Sequence, residues 1–335
     1  MTEHPVGVFA GKSNAEYHGG PGYSKSSLDI IRRSPAHFKH AQDQRAAGVE
    51  RESTAAMVTG SAEHGILLEA DQFEKEFALP FDASDWPDAL DTVPALKERL
   101  KALGLPVGGN KPELIERLRE ADPSVQILDD LKAMHAEDAA GKTILTPAQW
   151  RDVRGMRDAV IEHPKLCKLL TDPHGKAELS VYWRDEETGL LLRCRPDLWV
   201  GDIVMDIKTT EDASESAFER TVEKWAYHVQ AAFYLDGTKA AIEQSGGVLP
   251  EGLKIPKHFM FGPVEKKPPH LTAAYVLSPA VIEIGRREYR KNLATLAECL
   301  RTDEWPGHPQ EVRVIELPAW RMRQEEFNAE EGEYA

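Results

Sequence analysis

The spacing of hydrophobic positions changes about half-way along the chain. In the first half, apolar residues recur every three or four positions, which is typical of amphipathic helices. This pattern predicts helices over residues 28–33, 36–42, 54–69, 93–103, 112–120, 122–139 and 147–163. Prolines and aspartates interrupt 71–91, which we interpret as a connector.

After residue 176 the spacing becomes that of strands. It predicts strands over residues 177–184, 190–200, 203–209, 258–265 and 271–277. Short turns join the first three as antiparallel hairpins. Helical spacing returns over 213–240, where Trp225 falls in the apolar stripe, and again from Pro279 to about Leu300. The whole pattern predicts an α/β fold with a mixed central sheet flanked by helices. The acidic segment after Trp320 is expected to be disordered.

Composition excludes several classes of protein. The 335 residues are 41% hydrophobic and 29% charged, as in a globular protein. The net charge of −15 has the wrong sign for a chain that coats nucleic acid, so any nucleic-acid site must be local. Cys167, Cys194 and Cys299 are scattered, which argues against a disulfide framework, a zinc module or an iron–sulfur cluster. No signal peptide or membrane span is evident, so we expect a soluble cytoplasmic protein.

A compact two-helix unit occupies residues 92–122. Two amphipathic helices flank the segment GLPVGGNK, which predicts a helix, an extended bend and a second helix. The unit is positive, with four glutamates against six basic residues, Lys97, Arg99, Lys101, Lys111, Arg117 and Arg119. The run LKERLKALGLPVGGNKPELIERL resembles the SAP motif, a small DNA-binding module, which implies that the first five of these basic residues contact DNA. A plain helical hairpin with solvated charges is the alternative.

Two carboxylates and a lysine meet on the predicted hairpin RPDLWVGDIVMDIKTT. A two-residue turn at Gly201-Asp202 sets Asp197 opposite Asp206 on one face, with Cβ atoms ~4.5–5.5 Å apart, and Lys208 shares that face. Opposed carboxylates destabilise a strand pair, and a divalent cation reverses that penalty. The alternatives are a surface hairpin with Lys208 paired to Asp206, or a bulge at Pro196 that shifts the register.

The spacing of these residues resembles the PD-(D/E)XK nuclease superfamily. Pro196-Asp197 is followed, nine residues after the aspartate, by Asp206-Ile207-Lys208. Gly60-x-x-x-His64 upstream and Gln230-x-x-x-Tyr234 downstream resemble the RecB-type branch. The stretches STAAMVTGSAEHGILLE, AELSVYW, VEKKPP and EWPG…IELPAW are similar to RecE, the exonuclease VIII family of prophages. The resemblance covers most of the chain, without the SAP-like insert and the tail.

The resemblance implies a restriction-endonuclease-like fold and a set of site residues. His64, Asp197, Asp206 and the main-chain carbonyl of Ile207 would bind Mg²⁺, which Mn²⁺ can replace, and Lys208 would assist the attacking water. Gln230 and Tyr234 would contact DNA near the scissile phosphate, the alternative being a packed Tyr234 and a solvated Gln230. Glu178 is a further acidic position that the family tends to carry, and its role is open.

The resemblance also implies an activity and partners. The family digests linear double-stranded DNA from its ends, 5′ to 3′, and leaves a 3′ single strand for a RecT-like annealing protein. Family members form homo-oligomeric rings around DNA in the bacterial cytoplasm, without an iron–sulfur cluster or a membrane.

We expect four segments along the chain. They are a helical N-terminal part with the GxxxH motif (1–91), the SAP-like insert (92–122), the nuclease core (123–320) and the acidic tail (321–335). Two other functions stay open, a structure-specific or nicking PD-(D/E)XK endonuclease and a non-catalytic DNA-binding recombination scaffold. The intact set of His64, Asp197, Asp206 and Lys208 argues against the scaffold.

Overall fold

The computed structural model describes residues 4–49 and 54–332. Its helices are α1 (Asn14–Gly19), α2 (Lys25–Arg33), α3 (Pro35–Ala46), α4 (Ala55–Leu68), α5 (Ala70–Glu76), α6 (Val93–Ala102), α7 (Lys111–Ala121), α8 (Leu128–Asp138), α9 (Pro147–Glu162), α10 (Pro164–Leu170), α11 (Glu215–Lys224), α12 (Tyr227–Gln244), α13 (Pro279–Thr302) and α14 (Ala319–Gly332), with a 3-10 turn at Ala83–Asp85. Its strands are β1 (Gly7–Phe9), β2 (Phe77–Ala78), β3 (Thr143–Ile144), β4 (Lys176–Ala177), β5 (Ser180–Arg184), β6 (Leu191–Cys194), β7 (Leu198–Val200), β8 (Ile203–Thr210), β9 (His258–Glu265) and β10 (Tyr275–Val276).

A five-stranded mixed sheet organises the fold. Its strand order is β10-β9-β8-β7-β4, with β8 and β9 parallel and the other neighbours antiparallel. A second, antiparallel sheet has the order β1-β5-β6, and β2 pairs with β3 in parallel. Helices cover both faces of the mixed sheet, which confirms the predicted α/β class.

Strand β8 lies in the middle of the mixed sheet and separates two apolar layers. Met205 and Ile207 point to one face, where they pack with residues of α4 and α9. Val204 points to the other face, where it packs with residues of α11 and α12. Since side chains alternate along a strand, Asp206 and Lys208 lie on the same side as Val204. The site residues of β8 are therefore held between two packed layers.

The hairpin register is the predicted one. Val200 pairs with Ile203 and Leu198 pairs with Met205 around a turn at Gly201, whose φ of +54° lies in the left-handed region. The pairing ends at Leu198, and one further step of the same register would set Asp197 opposite Asp206.

The prediction of one continuous strand over 190–200 is wrong. Strand β6 ends at Cys194 and belongs to the three-stranded sheet, whereas β7 begins at Leu198 in the mixed sheet. Pro196 has no N–H for a ladder, and the backbone leaves one sheet for the other at this point. Asp197 consequently sits at the crossing between the two sheets.

The predicted single helix over 213–240 is also wrong. Helix α11 ends at Lys224 and α12 begins at Tyr227, because Ala226 between them adopts a left-handed conformation with φ 51°. Trp225, expected in the apolar stripe, is 55% exposed. Helical spacing continues across the break, so the apolar pattern alone does not reveal it.

Other differences are local. The expected connector over 71–91 contains most of α5 and all of β2, and strand β1 and helix α10 were not predicted. Only Tyr275–Val276 of the expected strand 271–277 is paired in β10. The segment after Trp320, expected to be disordered, forms most of α14, and its last three residues lie outside the described part of the chain.

The two-helix unit has a small core of its own. Leu96 and Leu100 of α6 pack against Leu114 and Leu118 of α7. The segments before and after this unit lie side by side. Leu90 N–H donates to the Gln126 carbonyl (2.8 Å), and Leu128 N–H donates to the Leu90 carbonyl (3.0 Å). The helix, bend and helix were predicted correctly. Across the described ranges, no helix is both long and apolar enough to span a bilayer.

Candidate active site

The site is built around Asp206 and Lys208 of β8. Asp206 is 1% exposed and accepts a hydrogen bond from Gln230 Nε2 of α12 (2.7 Å). Its other carboxylate oxygen forms an ion pair with Lys208 Nζ, which lies 5.0 Å from the centre of the Tyr227 ring. Burial by itself lowers the pKa of Lys208, but the charges of Asp206 and Asp197 outweigh it and raise that pKa. The charged form of Lys208 is therefore favoured in the metal-free site.

Asp197 lies against the backbone of β8. Its Oδ2 accepts a hydrogen bond from the Ile207 N–H (2.7 Å) and lies 3.5 Å from His64 Nδ1. Burial, and then the charge of Asp206, raise the pKa of Asp197 to about 6. This effect of Asp206 on Asp197 agrees with the predicted approach of the two aspartates.

His64 reaches the sheet from α4. Thr54 caps this helix by accepting from the Met57 N–H (3.3 Å), and His64 lies two to three turns further on. His64 Nε2 lies 3.1 Å from the Ile207 carbonyl, so this nitrogen donates the hydrogen bond. Burial lowers the pKa of His64, but the carboxylates of Asp197 and Glu63 outweigh it and raise the pKa to about 9. The expected contact between the N-terminal helices and the sheet is present.

Glu178 joins this group from the turn before β5. Its φ of 52° is left-handed, and its N–H donates to the Asp197 carbonyl (3.1 Å). Potential ligand atoms of His64, Glu178 and Asp197 all lie within 4.8 Å of one another. Burial and the charge of Asp197 raise the pKa of Glu178 to about 8. Glu178, whose role the sequence analysis left open, therefore belongs to this group of potential metal ligands, which we call the donor group.

Two of the predicted metal ligands form hydrogen bonds or ion pairs with other residues in the structure. The Ile207 carbonyl accepts from His64, and Asp206 is bound by Gln230 and Lys208. Among the described residues, Asp206 does not belong to a group of three ligand side chains. In this arrangement it holds the lysine beside the donor group.

Glu63 is a site residue that sequence reasoning missed. It is fully buried, neither carboxylate oxygen has a hydrogen-bond donor within the described structure, and Oε2 lies 3.8 Å from His64 Nε2. Burial raises its pKa to about 7. An acidic residue inside the apolar run of the helix, directly before His64, is the signal that could have drawn attention to it.

The donor set fits a divalent cation. Four carboxylates, those of Glu63, Glu178, Asp197 and Asp206, meet in a buried region whose nearest cations are Lys208, His64 and Arg195. A buried carboxylate without a donor is costly, and carboxylate oxygens are what Mg²⁺ prefers while imidazole also suits Mn²⁺. A bound cation would offset the excess of negative charge.

Comparisons with known proteins agree with this geometry. Residues 24–318 match a family described as a PDDEXK-like domain of unknown function (DUF3799). The chain belongs to this family. No curated protein matches the sequence. A crystal structure of a "Putative exonuclease" from Eubacterium rectale is similar, with a TM-score of 0.52, 12% identity, and coverage of 94% of this chain and 98% of that chain.

Membership of this family supports a nuclease of the PD-(D/E)XK type. Asp197, Asp206 and Lys208, the residues of the sequence motif, lie together as described. Enzymes of the PD-(D/E)XK type use divalent metal ions, in agreement with the donor set. The likeness to the Eubacterium structure, at 12% identity, supports the restriction-endonuclease-like fold.

The two predicted DNA contacts on α12 lie deeper in this PD-(D/E)XK fold than expected. Gln230 is buried behind Asp206, to which it donates. Tyr234 lies one turn further along, and its ring packs edge-on against Phe259, with centroids 5.8 Å apart. Burial raises the pKa of Tyr234 well above the ordinary value. In this arrangement both residues support the site from behind.

Most basic residues of the insert are paired with groups of the insert itself or of helix α8. Arg99 pairs with Asp122 (2.8 Å), Lys111 with Asp129 (2.7 Å) and Arg119 with Asp130 (2.5 Å). Arg117 donates to the carbonyls of Pro106 and Gly108 (2.7 and 3.0 Å). Lys97 and Lys101 form no ion pair in the part of the chain that the structure describes.

Replacing Glu63 by glutamine is expected to stabilise the metal-free protein in a pH-dependent way. The folded-state pKa of about 7 lies above the ordinary value of 4.5, so the folded chain keeps a proton that the unfolded chain releases. Wild-type stability is therefore lost as pH rises from about 4.5 to 7, and the variant gains up to about 3 kcal/mol that stays constant above pH ~7. Urea unfolding at several pH values in EDTA measures this difference. A difference that does not change with pH would contradict the assignment.

Proposed function

We propose that this protein is a Mg²⁺-dependent exodeoxyribonuclease that digests linear double-stranded DNA from its ends. The donor group of His64, Glu178 and Asp197 beside the Lys208–Asp206 pair is the observation that carries the proposal. The sequence resemblance to RecE supports action from a DNA end, 5′ to 3′. The 3′ single strand would then serve a RecT-like annealing protein in the cytoplasm of a bacterial host.

The ligand side chains are held by hydrogen bonds rather than by the cation alone. The Ile207 N–H fixes Asp197, and the Ile207 carbonyl fixes the ring of His64. His64, Glu178 and Asp197 would hold Mg²⁺, or Mn²⁺ in its place, with Asp206 close by. When bound, the cation supplies Lewis-acid stabilisation of the phosphate and lowers the pKa of a water molecule.

Lys208 would act through its ammonium group. The charges of Asp206 and Asp197 raise the pKa of Lys208 in the metal-free site, which favours the protonated form. A fixed ammonium group orients the attacking water and stabilises negative charge that develops on the phosphate. Asp206 holds Lys208 in place, and Gln230 in turn fixes Asp206.

One experiment separates the candidate functions. We would measure Mg²⁺-dependent nucleotide release from linear duplex DNA and from closed circular DNA, with Lys208→Ala in parallel. Release from the linear duplex alone, absent in the variant, supports the exonuclease, and 5′-labelled and 3′-labelled strands then give the polarity. Cleavage of the circle favours a structure-specific or nicking endonuclease. No metal-dependent cleavage of either substrate favours the non-catalytic scaffold.

We further propose that the chain assembles into a homo-oligomeric ring through the segment before α14. Val312, Val314 and Ile315 are 102%, 93% and 91% exposed. Apolar side chains that face water in this way do not stabilise a monomer. Burial of these side chains by a neighbouring copy would stabilise the assembly. We expect Val314→Asp/Ile315→Asp to lower the mass in sedimentation equilibrium, with Lys239→Asp, on the exposed side of α12, as a control. An unchanged mass would remove this segment from the interface.

For the SAP-like insert, we propose that Lys97 and Lys101 contact duplex DNA phosphates. Neither is tied to a carboxylate within the described ranges, so both can meet a phosphate. Each lost phosphate contact reduces the slope of log K against log salt by about 0.9. Lys97→Ala/Lys101→Ala is therefore expected to reduce it by about 1.8, and Lys239→Ala, on α12, is the control. An unchanged slope would show that the insert does not hold DNA in this way.

A further inference from the structure

An exposed tryptophan stands at a strained break beside the site. Trp225 is 55% exposed and lies between α11 and α12. Ala226, the next residue, has φ 51°, a left-handed conformation that L-residues other than glycine rarely adopt. If α11 and α12 were one regular helix, this conformation would be absent. The break gives the indole its outward position at the cost of local strain.

The neighbours of Trp225 connect it to the catalytic lysine. Lys25 Nζ donates to the Trp225 carbonyl (2.8 Å) and so fixes the break from α2. Tyr227, two residues further on, lies with its ring 5.0 Å from Lys208 Nζ. Lys25 Nζ also lies 6.0 Å from the centre of the Tyr227 ring, so Lys25 and Tyr227 connect the main chain of Trp225 to Lys208.

A lysine lies against the indole. Lys224 Nζ is 5.2 Å from the centre of the Trp225 ring, whereas Lys25, at the neighbouring Tyr227 ring, is paired with Asp29 (2.8 Å). An aromatic ring with a lysine beside it is a combination by which proteins hold single-stranded nucleic acid, a base on the ring and a phosphate on the cation. A protein partner would instead need an apolar surface around the ring.

We propose that Trp225 is a positioning residue whose indole stacks on a nucleobase next to the scissile phosphate. This inference rests on the proposed nuclease function and adds the subsite that holds the end of the cleaved strand. Stacking on a ring accepts every base, which suits an enzyme that digests DNA without regard to sequence. Tyr227 then separates the stacked base from Lys208.

The test combines changes of the Trp225 side chain with removal of the terminal base of the DNA, as in a double-mutant cycle. Wild type, Trp225→Ala and Trp225→Phe are assayed on duplexes whose terminal nucleotide on the cleaved strand carries a base or is abasic. On ordinary DNA we expect Trp225→Ala to lower kcat/KM about 10-fold and Trp225→Phe to stay within about 3-fold of wild type. On abasic ends, wild type and Trp225→Ala should be equal. An equal loss on both substrates, or no loss on either, would overturn the proposal.

A binding measurement keeps the inference separate from the nuclease function. In the Lys208→Ala background, short single-stranded DNA should quench tryptophan fluorescence, and the additional change Trp225→Phe should remove that part of the quenching. Trp86→Phe, an exposed tryptophan on the 3-10 turn segment, is the matched control. Quenching that persists without Trp225 would overturn the proposal even if the enzyme cleaves DNA. Lost quenching in a protein that cleaves no DNA would support the subsite and reject the nuclease function.

Discussion

Lys208→Ala is expected to lower the rate of DNA hydrolysis by about 10²–10⁴-fold while DNA affinity changes by less than about tenfold. The lysine is held by Asp206 and lies against Tyr227, so its ammonium group has one fixed position. An interaction made mainly with charge that develops in the transition state lowers kcat and kcat/KM equally when it is lost. Single-turnover cleavage of an end-labelled duplex, together with equilibrium binding in EDTA, separates the rate from the affinity.

Two further variants keep this test free of folding effects. Lys208→Met retains the apolar stem that packs beside Tyr227, and it should lose as much activity as Lys208→Ala. Lys239→Ala makes the same truncation at a side chain that is 60% exposed on α12, and it should keep wild-type activity. Cleavage by Lys208→Met at the wild-type rate would show that the ammonium group has no part in the reaction.

The part of the fold that could be predicted depends on short-range geometry. The hairpin register follows from a two-residue turn, because each pair along the ladder is determined by the one before it. The helix, bend and helix of the insert follow in the same way from local spacing and from Asn110, which caps α7. These elements need no information from distant residues.

The parts that could not be predicted depend on long-range packing. The apolar runs through Pro196 and through Ala226 continue without a change in period, yet the chain changes sheets at the first and breaks a helix at the second. Whether such a run stays in one element is decided by what it packs against. Trp225 was consequently expected in the core.

The candidate site likewise contains residues that local geometry predicts and residues that only long-range packing brings together. Asp206 and Lys208 could be placed together from strand alternation alone, and their ion pair confirms that placement. His64 lies 143 residues from Ile207, and only its motif linked it to the hairpin. Glu63 and Glu178 join the site through tertiary burial, which raises the pKa of both and which neither helical spacing nor strand alternation predicts.

Asp197→Asn is expected to have the second largest effect on activity. It should weaken metal binding and leave the fold intact. The carboxamide oxygen can still accept from the Ile207 N–H, so the hairpin keeps this bond. The ligand group loses one of its negative charges, so the affinity for Mg²⁺ or Mn²⁺ should fall by at least about 10-fold, with a comparable or larger loss of cleavage. Titration calorimetry with Mn²⁺ and nucleotide release measure the two effects.

The metal-free stability of Asp197→Asn should move in the opposite direction. Burial and the charge of Asp206 raise the pKa of Asp197 to about 6, above its ordinary 3.8, so at pH 8 the ionised carboxylate destabilises the folded chain. Removing that charge should raise the melting temperature in EDTA at pH 8, and the gain should vanish near pH 4. Asp202→Asn, in the turn of the same hairpin, changes neither metal binding nor this pH dependence. Only a residue that binds a cation shows lower metal affinity and higher metal-free stability together, whereas a structural aspartate would lose stability at every pH.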